Sequence, residues 1–536
     1  MKKNAVACSL ILIICSVFLA SCFSPFTEND DVGFIVINLG SGTSDARAVT
    51  WPPHQELLAS ISYKIELRRY ESKPDDYDTA EYTDLAPITF PAGKTHQKHK
   101  ISVQPGFYTI FVTAELLDRT TFATGFAEAT VQQGQTASTD PSPIRMQKED
   151  LEYYIPISTA AQLARIADPS DTDYPFDGKY LLVNDITLEG NWTPIGATPT
   201  SAFTGTFDGN GKVITGLTIT GGIGNLGMFG VIGSKARVEN LKLVNCNITG
   251  IYPSIVGGLA GQNDRGTIQN CSVTGSVEGW SPVGGLVGNN SGIINNSSFH
   301  GNFVRSNGNE TGGIAGLNSG TVENCLVIGH VEGEDIVGGV MGNNAGGILL
   351  NSAFRGASVR GVDKVGGVLG FDNGGTVENC YATGNVSGRK GVGGVVGEST
   401  GSGSIVRYSY ASGEVIAQDD EAGGVAGYVS TVLNNCVALN PNISAFGSAF
   451  GRVAGNFALG SLSNNFARSD MLKDGNLHTW NTSETSGNNN GTDVNPASIS
   501  ESWWKTTARW DSVWGNTSSA PWQWDNAHRR PKLWFE

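Results

Sequence analysis

Small and apolar residues recur along the middle of this chain with a fixed period. Between residues 227 and about 451, a glycine-rich phrase is repeated, for example VGGLVGNN at Val283 and VGGVMGNN at Val337. The second glycine of each copy lies at Gly258, Gly285, Gly313, Gly339, Gly367, Gly394 and Gly424. The successive gaps of 27, 28, 26, 28, 27 and 30 residues indicate a solenoid in which each repeat is one coil.

Each repeat also contains a second phrase, in which apolar residues alternate with polar ones. Examples are IQNCSVTGSV from Ile268, VENCLVIGHV from Val322 and VENCYATGNV from Val377. Both phrases are short and end at Gly or Asn, which is typical of strands. A helix is disfavoured because each glycine would cost roughly 1 kcal/mol relative to alanine. We therefore predict about three short strands per repeat, stacked about 4.8 Å apart in a parallel β-solenoid.

The array resembles the GLUG-motif repeat family, which is named for a core of glycine, leucine, a variable residue and glycine. Residues 283–289 (VGGLVGN) and 377–386 (VENCYATGNV) carry this resemblance. It implies a cell-surface or secreted bacterial protein. It does not imply one shared chemistry, because such repeats occur beside peptidase domains, anchoring domains or no recognisable domain.

The amino terminus has the pattern of a lipoprotein signal peptide, predicted to span residues 1–21. Lys2 and Lys3 precede an apolar run from Ala5 to Leu19, which is too short for a membrane span. The following LASC resembles the bacterial lipobox and implies cleavage before Cys22 and lipidation of Cys22. An ordinary signal peptide with a chance cysteine is the alternative. Residues 22–32 are predicted to be the lipidated end and a tether, and Phe23 after the cysteine favours the outer membrane.

Four further segments follow, and the whole chain is predicted to be all-β. Residues 33–148 contain several strand-like runs and predict a β-sandwich of immunoglobulin or transthyretin type. Residues 149–250 predict an amino-terminal cap and the first coils, with a helix capped by Ser158 whose Leu163 and Ile166 share one face. Residues 251–464 are the GLUG-repeat β-solenoid. Residues 465–536 predict a carboxy-terminal cap.

This carboxy-terminal segment is rich in tryptophan and is the candidate ligand-binding region. The candidate residues are Trp503, Trp504, Trp510, Trp514, Trp522 and Trp524. Indole rings can stack on sugars, so a carbohydrate-binding platform is one interpretation. The other, which we favour, is a cap in which the indoles cover the last coil.

Two rows of residues recur at fixed places in the repeats and predict structural roles. Cysteine and serine alternate at Cys271, Ser297, Cys325, Ser352, Cys380, Ser409 and Cys436. Successive cysteines would lie two coils apart, too far for a disulfide, which predicts buried free thiols. Cys246 falls outside this register. A row of Asn263, Asn290, Asn318 and Asn344, ending in Asp372, predicts hydrogen bonds between coils.

Sequence motifs for catalysis, metal binding and nucleic-acid binding are lacking. The chain has no HExxH, no CxxC pair and no complete GxSxG, and GIGNLG at Gly222 leads into another glycine-rich coil rather than a helix. The formal net charge of −15 disfavours nucleic acid as a partner. Charged residues that could serve a polysaccharide-cleaving site are Asp264, Arg265, Asp363, Lys364, Arg389 and Lys390. The acidic run 419–421 could instead bind calcium. We interpret them as solvated charges at coil turns, and we predict no cofactor and no metal.

The sequence therefore predicts a non-catalytic, lipid-anchored surface protein, an adhesin or interaction scaffold in the cell envelope. Its predicted partners are the membrane, through Cys22, and a host protein, envelope protein or polysaccharide. The alternatives are a carbohydrate-active protein that binds or cleaves polysaccharide, and a purely structural spacer in the envelope.

Overall fold

The computed structural model describes residues 12–13, 33–38, 62–74, 80–90, 98–115, 121–132, 138–139, 144–145, 147–148, 154–480 and 489–536. Cys22 and the predicted tether up to residue 32 lie outside these ranges, as does nearly all of the predicted signal peptide. The chain divides into two compact units, Met1–Pro156 and Ile157–Glu536. Among the described residues, no helix is long and apolar enough to span a membrane.

Unit 1 contains the strands predicted between residues 33 and 131. Three long antiparallel strands, Ser62–Tyr70, Gly106–Glu115 and Thr121–Val131, form the centre of one sheet. The short strands Thr83–Asp84, Ile88–Phe90, Ser138–Thr139 and Gln147–Lys148 extend it. Gly33–Asn38 pairs with Lys98–Val103, and Leu12–Ile13 pairs with Ile144–Arg145. The packing of these sheets into a β-sandwich stays a prediction.

Unit 2 is a parallel β-solenoid with three sheets, which we call A, B and C, and this confirms the predicted all-β solenoid. Sheet A has twelve strands, one from each coil. Its strands are Ile155–Ile157, Lys179–Leu182, Thr206–Asp208, Arg237–Glu239, Thr267–Gln269, Ile293–Asn295, Thr321–Glu323, Ile348–Leu350, Thr376–Glu378, Ile405–Arg407, Val432–Asn434 and Ser461–Ser463. Sheet B has nine, namely Phe229–Ile232, Ala260–Asn263, Val287–Asn290, Ala315–Asn318, Met341–Ala345, Leu369–Asn373, Val396–Thr400, Ala426–Val429 and Ala454–Phe457.

Sheet C is the broadest wall and takes two or three strands from most coils. Its strands are Ile186–Thr187, Val213–Thr215, Thr218–Leu226, Lys242–Gly257, Ser272–Gly279, Val283–Gly284, Ser298–Ser306, Thr311–Gly312, Leu326–Glu332, Val337–Gly338, Ala353–Phe354, Ser358–Arg360, Asp363–Gly366, Tyr381–Ala382, Asn385–Gly388, Lys390–Gly393, Tyr410–Ala411, Val415–Ala417, Ala422–Gly423, Val437–Ala438, Asn442–Ala445, Phe450–Gly451, Phe466–Arg468, Leu472–Lys473, Asn476–Leu477 and Thr492–Val494. All its pairings are parallel except that of Leu472–Lys473 with Asn476–Leu477.

The strand register confirms that one repeat makes one coil. Val283 lies beside Thr311, the first residue of the next glycine phrase, and Ile268 lies beside Ile294. The glycine pairs are needed where sheet C turns into sheet B. A Cβ atom built at Gly285 would collide with the carbonyl oxygen of Gly313 in the next coil. The glycine period thus marks the place where backbones of successive coils pack closest.

The second phrase forms the corner between sheets A and C. Its asparagine adopts a left-handed conformation in most coils, as at Asn270, Asn324 and Asn379, a conformation that asparagine tolerates better than most residues. The next residue is the buried cysteine or serine. The hydroxyl oxygen of Ser297 accepts a hydrogen bond from the backbone N–H of Cys271 at 3.1 Å, and the hydroxyl donates to the carbonyl of Asn295 at 2.8 Å. Serine therefore links adjacent coils.

The five cysteines in the described part of the chain are free and buried, as predicted for the four in the alternating row. Burial raises the thiol pKa to about 12 in Cys246, Cys271, Cys325, Cys380 and Cys436. Because the thiolate is the reactive form, we expect the chain from Phe23 onward to react with DTNB at none of these positions while folded. Unfolding in guanidinium should release five thiols. Fast labelling of a folded sample at pH 8 would contradict this interior position.

The predicted asparagine row is a continuous ladder inside the corner between sheets B and A. The amide Nδ2–H of Asn263 donates to Oδ1 of Asn290 at 2.8 Å, and Asn290 donates to Asn318 at 2.7 Å. Asn318 donates in the same way to Asn344 at 3.0 Å, and Asn344 donates to Asp372 at 3.1 Å. All five side chains are fully buried. The ladder thus holds five successive coils in register.

Asp372 accepts hydrogen bonds from both directions at the end of this ladder. Ser399 donates to its second carboxyl oxygen at 3.3 Å. Burial raises the pKa of Asp372 from an ordinary value of 3.8 to about 6. The folded state therefore binds a proton more tightly than the unfolded state, and ionisation of Asp372 lowers stability as the pH rises from about 4 to about 6. A pKa difference of this size corresponds to about 3 kcal/mol above pH 6.

Replacing Asp372 with asparagine should therefore raise the free energy of unfolding by about 2–3 kcal/mol at pH 8. Asparagine keeps the acceptor for Asn344 and offers a donor to Ser399, which can turn its own hydroxyl toward Thr431. The gain should shrink as the pH falls from 6 to 4. Denaturant unfolding at pH 8 and at pH 4 measures this gain in stability, with the exposed Asp177→Asn as control. A gain that is independent of pH would contradict the raised pKa.

Both ends of the solenoid are covered. The helix Ala160–Arg165 closes the first coil, as predicted, and its Leu163 and the following Ile166 are fully buried. The prediction of Ser158 as its N-cap is wrong by one residue, because the hydroxyl of Thr159 accepts the bond from the Gln162 N–H at 3.2 Å. At the other end the fully buried Arg452 pairs with Asp493 at 2.6 Å. The short helical turns are Pro199–Ser201, Pro496–Ser498, Trp503–Thr507 and Asp511–Val513.

Candidate interaction surface

One corner of sheet C carries residues that differ from coil to coil. We call it the corner row, defined by the stacked segments 222–225, 250–254, 279–282, 306–309, 333–336, 361–364, 388–391 and 417–421. Backbone hydrogen bonds join each segment to the next, for example from the N–H of Val362 to the carbonyl of Glu334 at 2.6 Å. Side chains on this row therefore repeat at the coil spacing of about 4.8 Å.

The corner row divides into an uncharged and a charged half. The first four segments read GIGN, GIYPS, GWSP and SNGN, without any Asp, Glu, Lys or Arg. The next four read GEDI, GVDK, GRKG and AQDDE, with charges of both signs. The first charged residue is Glu310, which directly follows the fourth segment and takes the place of Ile336 and Lys364 in the next two coils. Two different surfaces therefore follow each other along the same edge.

The charged half brings together three of the charged groups that the sequence analysis singled out. Arg389 pairs with Asp363 on one side and with Asp419 at 3.5 Å on the other. Lys390 pairs with Glu421 at 3.6 Å. The pair Asp264 and Arg265 lies elsewhere, at the corner between sheets B and A, and bonds to itself at 3.1 Å.

A cleft of about 410 Å³ opens beside these ion pairs. It is lined by Asp363, Lys364, Lys390, Gly391, Glu398, Thr400, Glu421 and Tyr428. Lys364 pairs with Glu398 at 3.3 Å and lies 4.0 Å from the centre of the Phe371 ring. Among the residues with described positions, no cluster of three His, Cys, Asp or Glu side chains could hold a metal ion. Mutually paired surface charges of this kind contribute little stability each.

The uncharged half exposes an aromatic pair. Tyr252 is 69% exposed and Trp280, in the next coil, is 41% exposed. Their rings meet edge to face, with centroids 5.2 Å apart and planes at 73°. Ile223 and Ile251 are exposed beside them. Large apolar side chains clustered on a surface mark interaction sites more often than isolated ones do.

The six predicted tryptophans form a different structure, which does not lie over the end of the last coil. Trp504, Trp510 and Trp522 are fully buried, with ring centroids 4.5 and 4.9 Å apart along the series. Trp503, Trp514 and Trp524 are half-buried around them. The hairpin Trp522–Asp525 and Arg530–Leu533 completes the fold of this segment. Ligand binding by these residues stays a prediction, and in the three buried indoles the rings serve packing.

This aromatic cluster packs on the side of sheet C. Trp510 and Trp522 contact Tyr410, and the rings of Tyr410 and Tyr381 stack at 4.9 Å. The hydroxyl of Tyr410 donates to the carbonyl of Pro531 at 2.7 Å, and that of Tyr381 donates to the Glu536 carboxylate at 2.6 Å. The prediction that the indoles cover the last coil is thus corrected, since they pack against the side of several coils. Residues 489–494 of the same segment do cover the last coil.

The tail packs on a stripe of outward residues, one from each coil, and the sequence analysis missed this periodic pattern. At the outward position after the buried cysteine or serine, the early coils have polar residues and the later coils have apolar ones. The row reads Lys242, Ser272, Ser298, Leu326, Ala353, Tyr381, Tyr410, Val437 and Phe466. An outward apolar stripe that begins in the fourth of these coils predicts a covering element, which the tryptophan-rich segment supplies.

One family model and two known proteins match parts of this chain. A family model described as the GLUG motif matches residues 252–278. The chain is 40% identical over 134 residues to halomucin of Haloquadratum walsbyi, and 40% identical over 126 residues to a Gly-rich membrane protein of Evansella cellulosilytica. These segments are 23% and 22% of this chain, but only 1% and 14% of the two relatives.

Two solved structures are similar at low scores. A Bacteroides ovatus protein described as an immunoglobulin A1 protease gives a TM-score of 0.31 at 17% identity, covering 72% of this chain and 93% of that one. An IgA1 protease gives 0.28 at 15% identity, covering 77% of this chain and 29% of that one. Together with the strand register, the motif match shows that this chain carries GLUG repeats and builds a parallel β-solenoid from them.

Proposed function

We propose that this chain is a non-catalytic adhesin or interaction scaffold of the cell envelope. The observation that carries the proposal is the corner row, where side chains of adjacent coils form surfaces that differ in charge along one edge. A rigid solenoid with both ends covered holds these surfaces in fixed positions, which lowers the entropic cost of binding.

The chemistry of the charged half supports binding rather than catalysis. The carboxylates and cations around the 410 Å³ cleft pair with each other across coils. The five cysteines in the described ranges are buried with raised pKa values, which removes them as nucleophiles.

Attachment to the membrane through a lipid on Cys22 belongs to the same proposal. The basic start, the apolar run and the LASC sequence support it. The relatives named as halomucin and as a Gly-rich membrane protein support an envelope location. In a chain attached at its amino terminus, the solenoid follows unit 1, and we propose that it is exposed at the outer membrane surface.

Adhesion by beads coated with the whole chain from Phe23 onward tests this function. The beads are passed over bacterial envelope fragments, over mucin and over albumin-coated glass, and retention under flow is measured. We expect retention on envelope fragments or mucin that exceeds retention on albumin. Beads carrying an unrelated protein at the same density are the control. Equal retention on all three surfaces would contradict an adhesive role.

A further inference from the structure

The uncharged half of the corner row has the features of a binding site for a neutral glycan. We propose that Tyr252 and Trp280 form the platform on which an uncharged polysaccharide lies along the solenoid axis. The inference rests on the proposed function and specifies its ligand class. It also places the sugar contact on the solenoid, far along the sequence from the tryptophan-rich tail.

The first argument is exposure and shape. Tyr252 and Trp280 are the exposed aromatic residues of two adjacent coils, and their rings form an L-shaped surface with planes at 73°. A sugar ring presents an apolar face of C–H groups and an edge of hydroxyls. One ring of the pair can therefore cover the face while the other lines the edge. Ile223 and Ile251 extend the apolar surface.

The second argument is that the aromatic pair lies among uncharged residues in a chain whose formal net charge is −15. The segments 222–225, 250–254, 279–282 and 306–309 contain no ionisable acid or base other than the Tyr252 phenol. The charged residues that flank them are Glu278, Glu310 and Arg305, which pairs with Glu332. Instead, the exposed Asn307 and Asn309 offer amide donors and acceptors. Amides suit hydroxyl groups, whereas a polyanionic glycan or a nucleic acid would need cations here.

The third argument is rigidity of the backbone beneath the pair. The hydroxyl of Ser306 donates to the carbonyl of Trp280 at 2.5 Å and accepts from the N–H of Gly308 at 2.9 Å. The N–H of Trp280 donates to the hydroxyl of Ser254 at 3.4 Å. These bonds join three coils and fix the backbone beneath the aromatic pair before any ligand arrives.

The dimensions favour a glycan over a protein partner. Four stacked segments span three coil spacings, or about 14 Å, and each spacing is close to the length of one hexose in an extended chain. A stable protein interface covers about 800 Å² on each partner, which is more than this short edge provides before the charged half begins.

Calorimetric titration with neutral hexasaccharides tests the proposal. The probes are cellohexaose, mannohexaose, xylohexaose, maltohexaose and laminarihexaose, with oligogalacturonate as an anionic comparison, and the protein is the chain from Phe23 onward. We expect at least one neutral probe to bind. Trp280→Ala should weaken this binding by about tenfold or more, and Tyr252→Ala should weaken it by several fold.

Two control variants locate the site. Phe446→Ala removes another exposed aromatic ring of the solenoid, 94% exposed, and should leave binding unchanged. Trp514→Ala, in the half-buried part of the tail, should also leave it unchanged. Circular dichroism confirms that each variant is folded.

Three outcomes would overturn the glycan site: no neutral probe bound at about 1 mM, binding by oligogalacturonate alone, or full binding by Trp280→Ala. Bead adhesion that persists without glycan binding would remove this inference and leave the scaffold function standing. Absence of both bead adhesion and glycan binding would contradict the glycan site and the scaffold function together.

Discussion

Replacing Tyr410 with alanine will release the tryptophan-rich tail from the solenoid. Tyr410 is fully buried beneath Trp504, Trp510 and Trp522, and its hydroxyl bonds to Pro531. Truncation of a large buried aromatic side chain costs about 3–5 kcal/mol. We expect the emission of the buried indoles to shift to the red and protease to cut the tail first, while the far-ultraviolet spectrum of the strands persists.

Tyr428→Ala is the matched control, because Tyr428 lies on sheet B beside the charged cleft. Because Tyr428 is half-buried there, its replacement should lower the free energy of unfolding by less than about 1 kcal/mol. The tryptophan emission should stay unchanged. Unchanged emission in Tyr410→Ala would contradict the docking of the tail on sheet C.

Replacing Asn318 with alanine will break the asparagine ladder in the middle of the solenoid. The change leaves Asn290 without its acceptor and Asn344 without its donor, both fully buried. Each unsatisfied buried group costs about 1–3 kcal/mol, so we expect a loss of about 2–5 kcal/mol in denaturant unfolding.

The neighbouring exposed residue provides the control for this ladder. Ser319→Ala should change stability by less than about 0.5 kcal/mol, because the N–H of Ser319 bonds through the backbone, which the substitution keeps. Equal effects of Asn318→Ala and Ser319→Ala would show that the ladder does not join the coils.

The repeat structure could be predicted because its causes are periodic in the sequence. Glycine at the tight turn between sheets C and B, asparagine at the left-handed corner and asparagine inside the ladder recur with each coil. Each requires a particular residue type for a local reason. The spacing of 26 to 30 residues between glycine phrases therefore predicts the strand register, in which each phrase lies beside the next.

The position of the tail could not be derived in this way. Burial of Trp504, Trp510 and Trp522 depends on a stripe built from single residues about 28 positions apart, such as Ala353, Tyr381 and Tyr410. Within any one repeat, an outward tyrosine looks like an ordinary surface residue. Only alignment of the outward positions across coils shows a change from polar to apolar.

The aromatic pair could not be predicted for a related reason. Most tryptophans lie in the tail, and Trp280 stands alone among the glycine-rich repeats. Its partner Tyr252 is 28 residues earlier in the sequence, and only the coil stacking brings the two rings to 5.2 Å. The substitution of GIYPS and GWSP for the charged turns of later coils is the sequence feature that points to it.

Binding without cleavage is the central claim, and one experiment tests it directly. The chain from Phe23 onward is incubated with a panel of neutral polysaccharides and with casein, and both retention of the polymer and release of new reducing ends or amino termini are followed. We predict retention of a neutral polysaccharide with no new chain ends. New ends that accumulate in proportion to the added protein would show that the solenoid is part of an enzyme.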